Sequence, residues 1–137
     1  MRISFGTDEI TPATEGLVAW LRDEGHEVDV LEGTPEWPEV GRRVGETVAS
    51  GDAELGAVCC WTGTGVSMAA NKVPGVRAAL CTDAETARGA RRWNDANVLA
   101  IGLRLASATV AVEMAEAFLA TDASEAEAAT IARMEPT

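Results

Sequence analysis

Hydrophobic and polar positions follow two alternating patterns along most of the chain, and these patterns predict alternating strands and helices. Short apolar runs bounded by glycine or polar residues are typical of buried parallel strands. Apolar residues three and four positions apart, as at Leu17, Val18 and Leu21, are typical of a helix with one buried face. Strands are predicted at residues 2–6, 27–31, 56–61, 76–80 and 97–102.

The segments between these strands predict helices with recognisable ends. Pro12 suits the first turn of a helix, and Gly25 suits the position just after one. Helices are predicted at residues 11–25, 38–50, 65–72, 83–92, 106–120 and 125–133. Strands that alternate with helices predict an α/β fold, here one three-layer α/β/α domain over residues 1–137 with a five-stranded parallel Rossmann-like sheet. Ligands of such sheets bind at the carboxyl ends of the strands.

Composition narrows the possible functions. The chain has 137 residues, of which 47% are hydrophobic, enough for one core. None of its apolar runs approaches the roughly 20 residues that span a membrane. The formal net charge of −11 disfavours nucleic acid as a partner, since phosphate backbones are bound by basic surfaces. We therefore expect a cytoplasmic protein that binds neither membrane nor nucleic acid.

The three cysteines are predicted to be reduced and free of metal. Cys59, Cys60 and Cys81 all lie in apolar segments, and the adjacent pair would point to opposite faces of a strand. A zinc site is not expected, because there is no Cys-x-x-Cys motif and His26 is the only histidine.

The segment at residues 57–72 carries the strongest functional signal. An apolar strand ends at Cys60, the loop Thr62-Gly-Thr-Gly follows, and a helix then begins. Free N–H groups and the helix dipole at such a start favour a thiolate beside them, and they also stabilise an enediolate oxygen. The alternative is structural, with Cys60 as a buried apolar residue and the glycines present only for a tight turn. The loop lacks the full Gly-x-Gly-x-x-Gly dinucleotide spacing, which disfavours a flavodoxin-like cofactor-binding protein.

Two motifs resemble those of ribose-5-phosphate isomerase B and the related galactose-6-phosphate isomerases. One is Cys60-Trp-Thr-Gly-Thr-Gly-Val-Ser-Met-Ala-Ala-Asn-Lys, and the other is Asn94-Asp-Ala-Asn-Val-Leu-Ala-Ile-Gly-Leu-Arg. The resemblance implies a cofactor-independent aldose–ketose isomerase that acts through a cis-enediol on a sugar or sugar phosphate. It implies that Cys60 is the catalytic base and that Thr62 assists. The substrate-binding positions would be Asp8, Glu9, Trp61, Gly63, Thr64, Gly65, Val66, Ser67, Trp93, Asn94 and Arg104.

Several positions depart from the family pattern. Glu9 stands where the family has a phosphate-binding histidine, Trp93 where it has a ring-opening histidine, and Trp61 where it usually has glycine. The family's C-terminal arginines are missing from residues 123–132, and only Arg133 follows. These changes weaken phosphate affinity, so we expect an altered substrate, such as a tetrose phosphate that needs no ring opening or an unphosphorylated sugar.

The sequence leaves other interpretations open. The resemblance implies a homodimer, or two such dimers paired into a tetramer, in which Trp93, Asn94 and Arg104 reach a neighbour's site. The alternative for Asp8 is that it caps the first helix rather than binding substrate. The alternative for Trp37, Trp61 and Trp93 is that they are core or interface residues. The alternative for the whole chain is a non-catalytic sugar or sugar-phosphate binding protein that kept the pocket and lost the reaction.

Overall fold

A computed structural model describes residues 1–136 as a five-stranded sheet covered by helices on both faces. All four strand pairings are parallel. The strands are β1 (Arg2–Thr7), β2 (Glu27–Val30), β3 (Leu55–Cys60), β4 (Ala78–Cys81) and β5 (Val98–Gly102). The helices are α1 (Pro12–Asp23), α2 (Trp37–Ala49), α3 (Thr64–Asn71), α4 (Ala84–Asn94), α5 (Ala108–Ala120) and α6 (Ala128–Ala132), with a 3₁₀ turn at Glu125–Glu127. The predicted α/β/α class is confirmed.

The strand order β2-β1-β3-β5-β4 places the functional segments side by side. β1 and β3 are neighbours although β2 lies between them in the chain, so the chain changes direction across the sheet at this point. Ligands of open parallel sheets bind at such a switch point, beyond the carboxyl ends of the strands. β5 is inserted between β3 and β4, with Cys60 in register with Gly102. The residues that follow β1, β3 and β5 therefore meet at one edge, called the carboxyl edge below.

The two faces of the sheet carry separate cores. Leu17 of α1, Ala87 of α4 and Met114 of α5 pack with Cys59 on one face. Val40 and Val44 of α2 and Val66 of α3 pack with Cys60 on the other. The predicted opposite orientation of the adjacent cysteines is confirmed, because successive strand side chains point to opposite faces. The completely apolar β3 is buried along its whole length, as a strand between two helical layers should be.

Two predicted elements start two residues later than expected, for local reasons. Strand β4 begins at Ala78 rather than at residue 76, because Val76 still belongs to a turn and its N–H bonds to the Val73 carbonyl. Helix α5 begins at Ala108 rather than at residue 106, because the Ser107 hydroxyl accepts the Val110 N–H as an N-cap.

The predicted C-terminal helix at residues 125–133 is split. A 3₁₀ turn at Glu125–Glu127 precedes the short α6, and the Ser124 N–H bonds to the Arg92 carbonyl. The segment's acidic residues and alanines leave it without a buried residue. It therefore has no apolar face that would stabilise a longer regular helix.

Candidate active site

Cys60 ends β3 at the carboxyl edge, with its side chain on the face covered by α2 and α3. It is 5% exposed and belongs to the same core as Val40 and Val66. Its carbonyl accepts the Leu103 N–H at 2.9 Å, which ties it to the segment after β5. The thiol thus belongs to the core under α2 and α3, at the end of the strand that leads into α3.

The loop after Cys60 presents unpaired backbone donors. Gly63 is the N-cap of α3 with φ of 77°, a left-handed conformation that glycine adopts without strain. Capping side chains bond to the N-termini of α1, α4 and α5, but α3 has none. The first backbone bond of α3 runs from the Ser67 N–H to the Gly63 carbonyl. Within residues 1–136, the N–H groups of residues 64–66 therefore have no acceptor, and they form a ready anion site at the dipole's positive end.

Two hydroxyls line the same loop. The Oγ1 atoms of Thr62 and Thr64 are 2.8 Å apart, and both residues are exposed. A hydroxyl donates and accepts at once, so a pair of this kind is able to relay a proton without a change of charge. The predicted assisting role of Thr62 remains a prediction, but its position beside the free amides suits that role.

Asp8 and Glu9 lie on the neighbouring strand end. The Asp8 N–H donates to the Cys59 carbonyl at 3.4 Å, and the Thr7 hydroxyl donates to the Glu9 carbonyl at 2.7 Å. Asp8 does not cap the first helix: Thr11 does, in a reciprocal pair with Thr14. Burial raises the pKa of Asp8, and the neighbouring Glu9 carboxylate raises this pKa further. The carboxyl edge therefore holds two acidic groups, one of them partly desolvated.

Arg104 lies at the same edge of its own chain. Its N–H donates to the Trp61 carbonyl at 2.8 Å, so the residue that follows β5 is bound to the loop that follows β3. Among residues 1–136 it forms no ion pair and is exposed. The reach of Arg104 into a neighbour's site, which the family resemblance implies, stays a prediction. The Arg104 backbone lies next to Trp61, the residue after Cys60 in the same chain, in the turn that follows β5.

Trp93 and Asn94 lie at the opposite end of the sheet. Helix α4 runs back from the carboxyl edge, and Asn94 is its last residue, four positions before β5 begins. Five residues of β5 correspond to about 16 Å of strand. One chain therefore does not bring Trp93 and Asn94 to Cys60. Asn94 lines a cleft with Lys72, Arg77 and the tail residue Met134.

The three candidate tryptophans are not core residues. Trp37, Trp61 and Trp93 are 44%, 53% and 57% exposed. The Trp93 ring folds back over Gly89 on its own helix, and the Trp37 ring covers Gly65 at the start of α3. Large half-exposed aromatic rings are typical of ligand sites and interfaces.

Several polar residues that the sequence pointed to are structural. The Asn71 side chain donates to the Ala78 carbonyl at 2.9 Å and accepts its N–H at 2.7 Å, which mimics strand pairing at the start of β4. Asn97 likewise accepts the Arg77 N–H at 2.7 Å. Arg91 is also structural: its Nε donates to the Thr121 carbonyl at 3.0 Å and its guanidinium lies over Phe118. His26 is hydrogen-bonded to the N-terminal amine at the amino end of the sheet.

Among residues 1–136, the structure shows no cluster of three or more histidine, cysteine, aspartate or glutamate side chains placed to hold a metal ion. Likewise, none of the helices formed by these residues is long and apolar enough to cross a membrane.

Comparison with known proteins identifies the family. Residues 3–134 match the family model described as ribose/galactose isomerase. The chain belongs to this family. It is therefore an enzyme of the isomerase class, as the two motifs predicted.

Relatives in the ribose/galactose isomerase family differ in their sugars. The chain is 40% identical over 125 residues to galactose-6-phosphate isomerase subunit LacB of Clostridium acetobutylicum. The aligned region covers 87% of the chain and 72% of that protein. It is 38% identical over 125 residues to D-erythrulose-4-phosphate isomerase of Pectobacterium atrosepticum, covering 87% and 82%. The structure of ribose-5-phosphate isomerase B from Clostridium thermocellum superposes with a TM-score of 0.88 at 34% identity, covering 98% and 95%.

Sequence reasoning missed the contact between Trp37 and Gly65. Trp37, the first residue of α2, precedes Gly65 by 28 positions in the chain. Neither periodicity nor the two motifs links these two positions. The available signal was the pair Trp37-Pro38, since a proline at the second helical position fixes where α2 starts relative to the sheet edge.

Proposed function

We propose that this isomerase interconverts an aldose and a ketose of a small sugar phosphate through a cis-enediolate, with Cys60 as the base. One observation supports this most: Cys60 ends the strand that leads into α3 and shares a core with Val66 of that helix, whose first three N–H groups are unpaired. A base and an oxyanion site at one strand end are the two groups that such an isomerisation requires.

The reaction follows from these positions. The Cys60 thiolate removes the proton from C2 of the aldose, and the electron pair moves through the new C1–C2 double bond onto O1. The N–H groups of residues 64–66 stabilise the negative charge on O1. The hydroxyl pair of Thr62 and Thr64 passes the O2 proton to O1. Cys60 then returns its proton to C1, which leaves the ketose with no atom gained or lost.

We propose an open-chain four-carbon sugar phosphate as the preferred substrate. A tetrose 4-phosphate has no free hydroxyl that would close a five-membered ring, so it needs no ring-opening acid. His26, the only histidine, lies at the far end of the sheet, and Trp93 has no proton to exchange. The bulky Trp61 at the loop also favours a short substrate. The relative named as an isomerase of D-erythrulose 4-phosphate supports the same choice.

We also propose that the active unit is a homodimer. Trp93 and Asn94 lie about one strand length from Cys60 in the same chain, so only a second copy brings them to the carboxyl edge. The three buried free cysteines favour a reducing compartment, and we place the enzyme in the cytoplasm.

The reaction is tested by assaying isomerisation of erythrose 4-phosphate, ribose 5-phosphate and the free sugars. We expect turnover to be highest with the tetrose phosphate and to fall at least about a thousandfold in Cys60→Ser. Cys59→Ser, a change at the adjacent buried thiol on the other face, is the matched control and should retain turnover. Equal turnover of ribose 5-phosphate would contradict the substrate proposal. Thermal stabilisation by these sugars without any turnover would instead identify a binding protein.

The shared site is tested by mixing two inactive variants. Asn94→Ala and Cys60→Ser, unfolded together and refolded, should form mixed dimers in which one of the two sites is intact. Random pairing restores about a quarter of the wild-type activity per chain. Recovery of none, with both variants folded and dimeric, would show that Asn94 acts within its own chain.

A further inference from the structure

The Trp37 ring rests on the first turn of α3. A Cβ atom placed on Gly65 would lie 2.8 Å from Cε3 and 2.9 Å from Cδ2 of the indole. These separations are too short for a real side chain, so the ring occupies the space that any residue other than glycine would need. Gly65 carries one of the three unpaired N–H groups at the start of α3. The ring therefore covers the outer side of the same turn that presents these donors.

A second glycine lets α2 approach α3 closely near Trp37. One turn along α2, a Cβ placed on Gly41 would lie 2.7 Å from the Val66 carbonyl oxygen and 2.8 Å from the Ala70 nitrogen. The backbones of α2 and α3 are thus in direct contact one turn beyond the indole. Because Gly41 is buried and the helices meet at their backbones, the start of α2 moves little relative to the start of α3.

We propose that Trp37 is a positioning residue for the isomerase reaction: its indole holds the first turn of α3 in place and keeps water from the outer side of the donors. The inference rests on the proposed function, since it concerns the stabilisation of the enediolate oxygen. It adds a residue outside both sequence motifs to the machinery of the site.

The physical argument is electrostatic. Hydrogen-bond donors stabilise a developing oxyanion most when they are fixed before the reaction and shielded from water. A short helix that starts at a left-handed glycine without a capping side chain lacks local restraints on its first turn. The indole supplies the restraint by packing on the turn, and it is 44% exposed and belongs to neither core. Its position is therefore better explained by support of the turn than by core stability.

The test compares Trp37→Ala, Trp37→Phe and Gly65→Ala in steady-state kinetics on the substrate that the wild-type enzyme turns over. Trp37→Ala should lower kcat about ten- to a hundredfold with KM within about threefold, because displaced donors act on the transition state. Trp37→Phe keeps a ring on Gly65 and should restore kcat to within about threefold of wild type. Gly65→Ala should lower kcat like Trp37→Ala, while the double variant should be no worse than Trp37→Ala, since removing the indole makes room for the methyl group.

Met68→Ala is the matched control. Met68 is 60% exposed and lines the same apolar groove as Trp37, one turn further along α3. It should leave kcat unchanged, with thermal unfolding and light scattering confirming that every variant is folded and equally assembled. Unchanged kcat in Trp37→Ala, additive losses in the double variant, or an equal loss in Met68→Ala would each overturn the proposal. An inactive wild-type enzyme would instead refute the proposed function, so the two failures are distinct.

Discussion

Gly63 and Gly102 lie with their backbones in contact at the carboxyl edge. A Cβ placed on Gly63 would be 2.8 Å from the Gly102 nitrogen, and one placed on Gly102 would be 2.6 Å from the Thr62 carbonyl oxygen. Because Gly102 is the last residue of β5 and Gly63 is the N-cap of α3, this contact seats the start of α3 on the end of the central sheet. The two motifs of the chain therefore meet through two residues that have no side chains.

Gly102→Ala should reduce activity by displacing the loop. The added methyl group meets backbone atoms, which do not yield as a flexible side chain would. We expect a shift of the loop by several tenths of an ångström and a loss of kcat of about tenfold or more. Steady-state kinetics on the preferred substrate checks this.

Gly25→Ala is the control for Gly102→Ala. Gly25 has φ of 88° and no atom within 4 Å of an added Cβ, so the change introduces backbone strain without a clash. It should lower the free energy of unfolding by about 1 kcal/mol and leave kcat unchanged. If both variants lost activity in proportion to stability, the seating role of Gly102 would be refuted.

Cys59 and Cys81 should be inert towards thiol reagents in the folded enzyme. Burial raises the pKa of Cys81 to about 11, with a smaller contribution from Asp83, and burial also raises the pKa of Cys59. Both groups are therefore protonated at pH 8, where only thiolates react. Titration of Cys60→Ser with an aromatic disulfide should show no reactive thiol in buffer and two in denaturant. A reactive thiol in the folded variant would contradict the packing of one of these strands.

Ser4→Ala should stabilise the protein. The Ser4 hydroxyl is completely buried and has no hydrogen-bond partner within residues 1–136. An unsatisfied buried hydroxyl costs about 1–3 kcal/mol, so its removal should raise the free energy of unfolding by about 1 kcal/mol. Urea denaturation measures this change.

Thr14 provides the contrast to Ser4. It is equally buried, but its hydroxyl donates to the Thr11 carbonyl at 2.9 Å and accepts the Thr11 N–H at 2.8 Å. Thr14→Val keeps the shape of the side chain and removes both bonds, so it should cost about 1–2 kcal/mol. A loss of stability in Ser4→Ala comparable to that in Thr14→Val would indicate that Ser4 has a partner.

Asp8→Asn should stabilise the fold at neutral pH at the expense of the site. The pKa of Asp8 is raised from its ordinary value of 3.8, so the folded state holds this proton more tightly than the unfolded chain does. The stability that protonation contributes is present below pH 3.8 and is lost as the pH rises through the raised pKa. The gain of Asp8→Asn over wild type should therefore grow between pH 4 and pH 7 in urea denaturation.

Asp83 should behave in the opposite way. Hydrogen bonds from the Thr86 N–H and hydroxyl lower the pKa of Asp83, so its contribution is present above pH 3.8 and is lost as the pH falls through the lowered pKa. Asp83→Ala should destabilise the protein at pH 7, and the loss should shrink in acid. If the pH dependence of Asp8→Asn followed that of Asp83→Ala, the Asp8 carboxylate would be stabilised by its site.

The fold could be predicted from the sequence because its signals are local. The continuous apolar run of β3 and the spaced valines of α2 each indicate one element type, and alternation of the two types restricts the topology. The exact start of β4 could not be predicted, since it depends on Asn71 and Asn97 side chains that arrive from other segments. The same limit applies to the tail, whose path is set by a bond to Arg92.

Only the part of the site that is contiguous in the sequence could be predicted. Cys60 and its loop are contiguous, so their relation to α3 follows from spacing. The positions of Arg104 and Trp93 relative to Cys60 depend on the insertion of β5 between β3 and β4, and a sequence pattern does not reveal strand order. The same insertion brings the Arg104 backbone to Trp61, next to Cys60, and leaves Trp93 at the opposite end.

The separation of Cys60 from Trp93 and Asn94 has a consequence for how this enzyme evolves. Under the proposed shared site, a chain that changes at Trp93 alters the chemistry of its neighbour rather than its own. Selection on substrate preference then acts on the pair, and a new substrate requires changes that are compatible across the interface. Dilution below the dimer's dissociation constant would likewise reduce specific activity, so the cellular concentration of the protein becomes part of its catalytic efficiency.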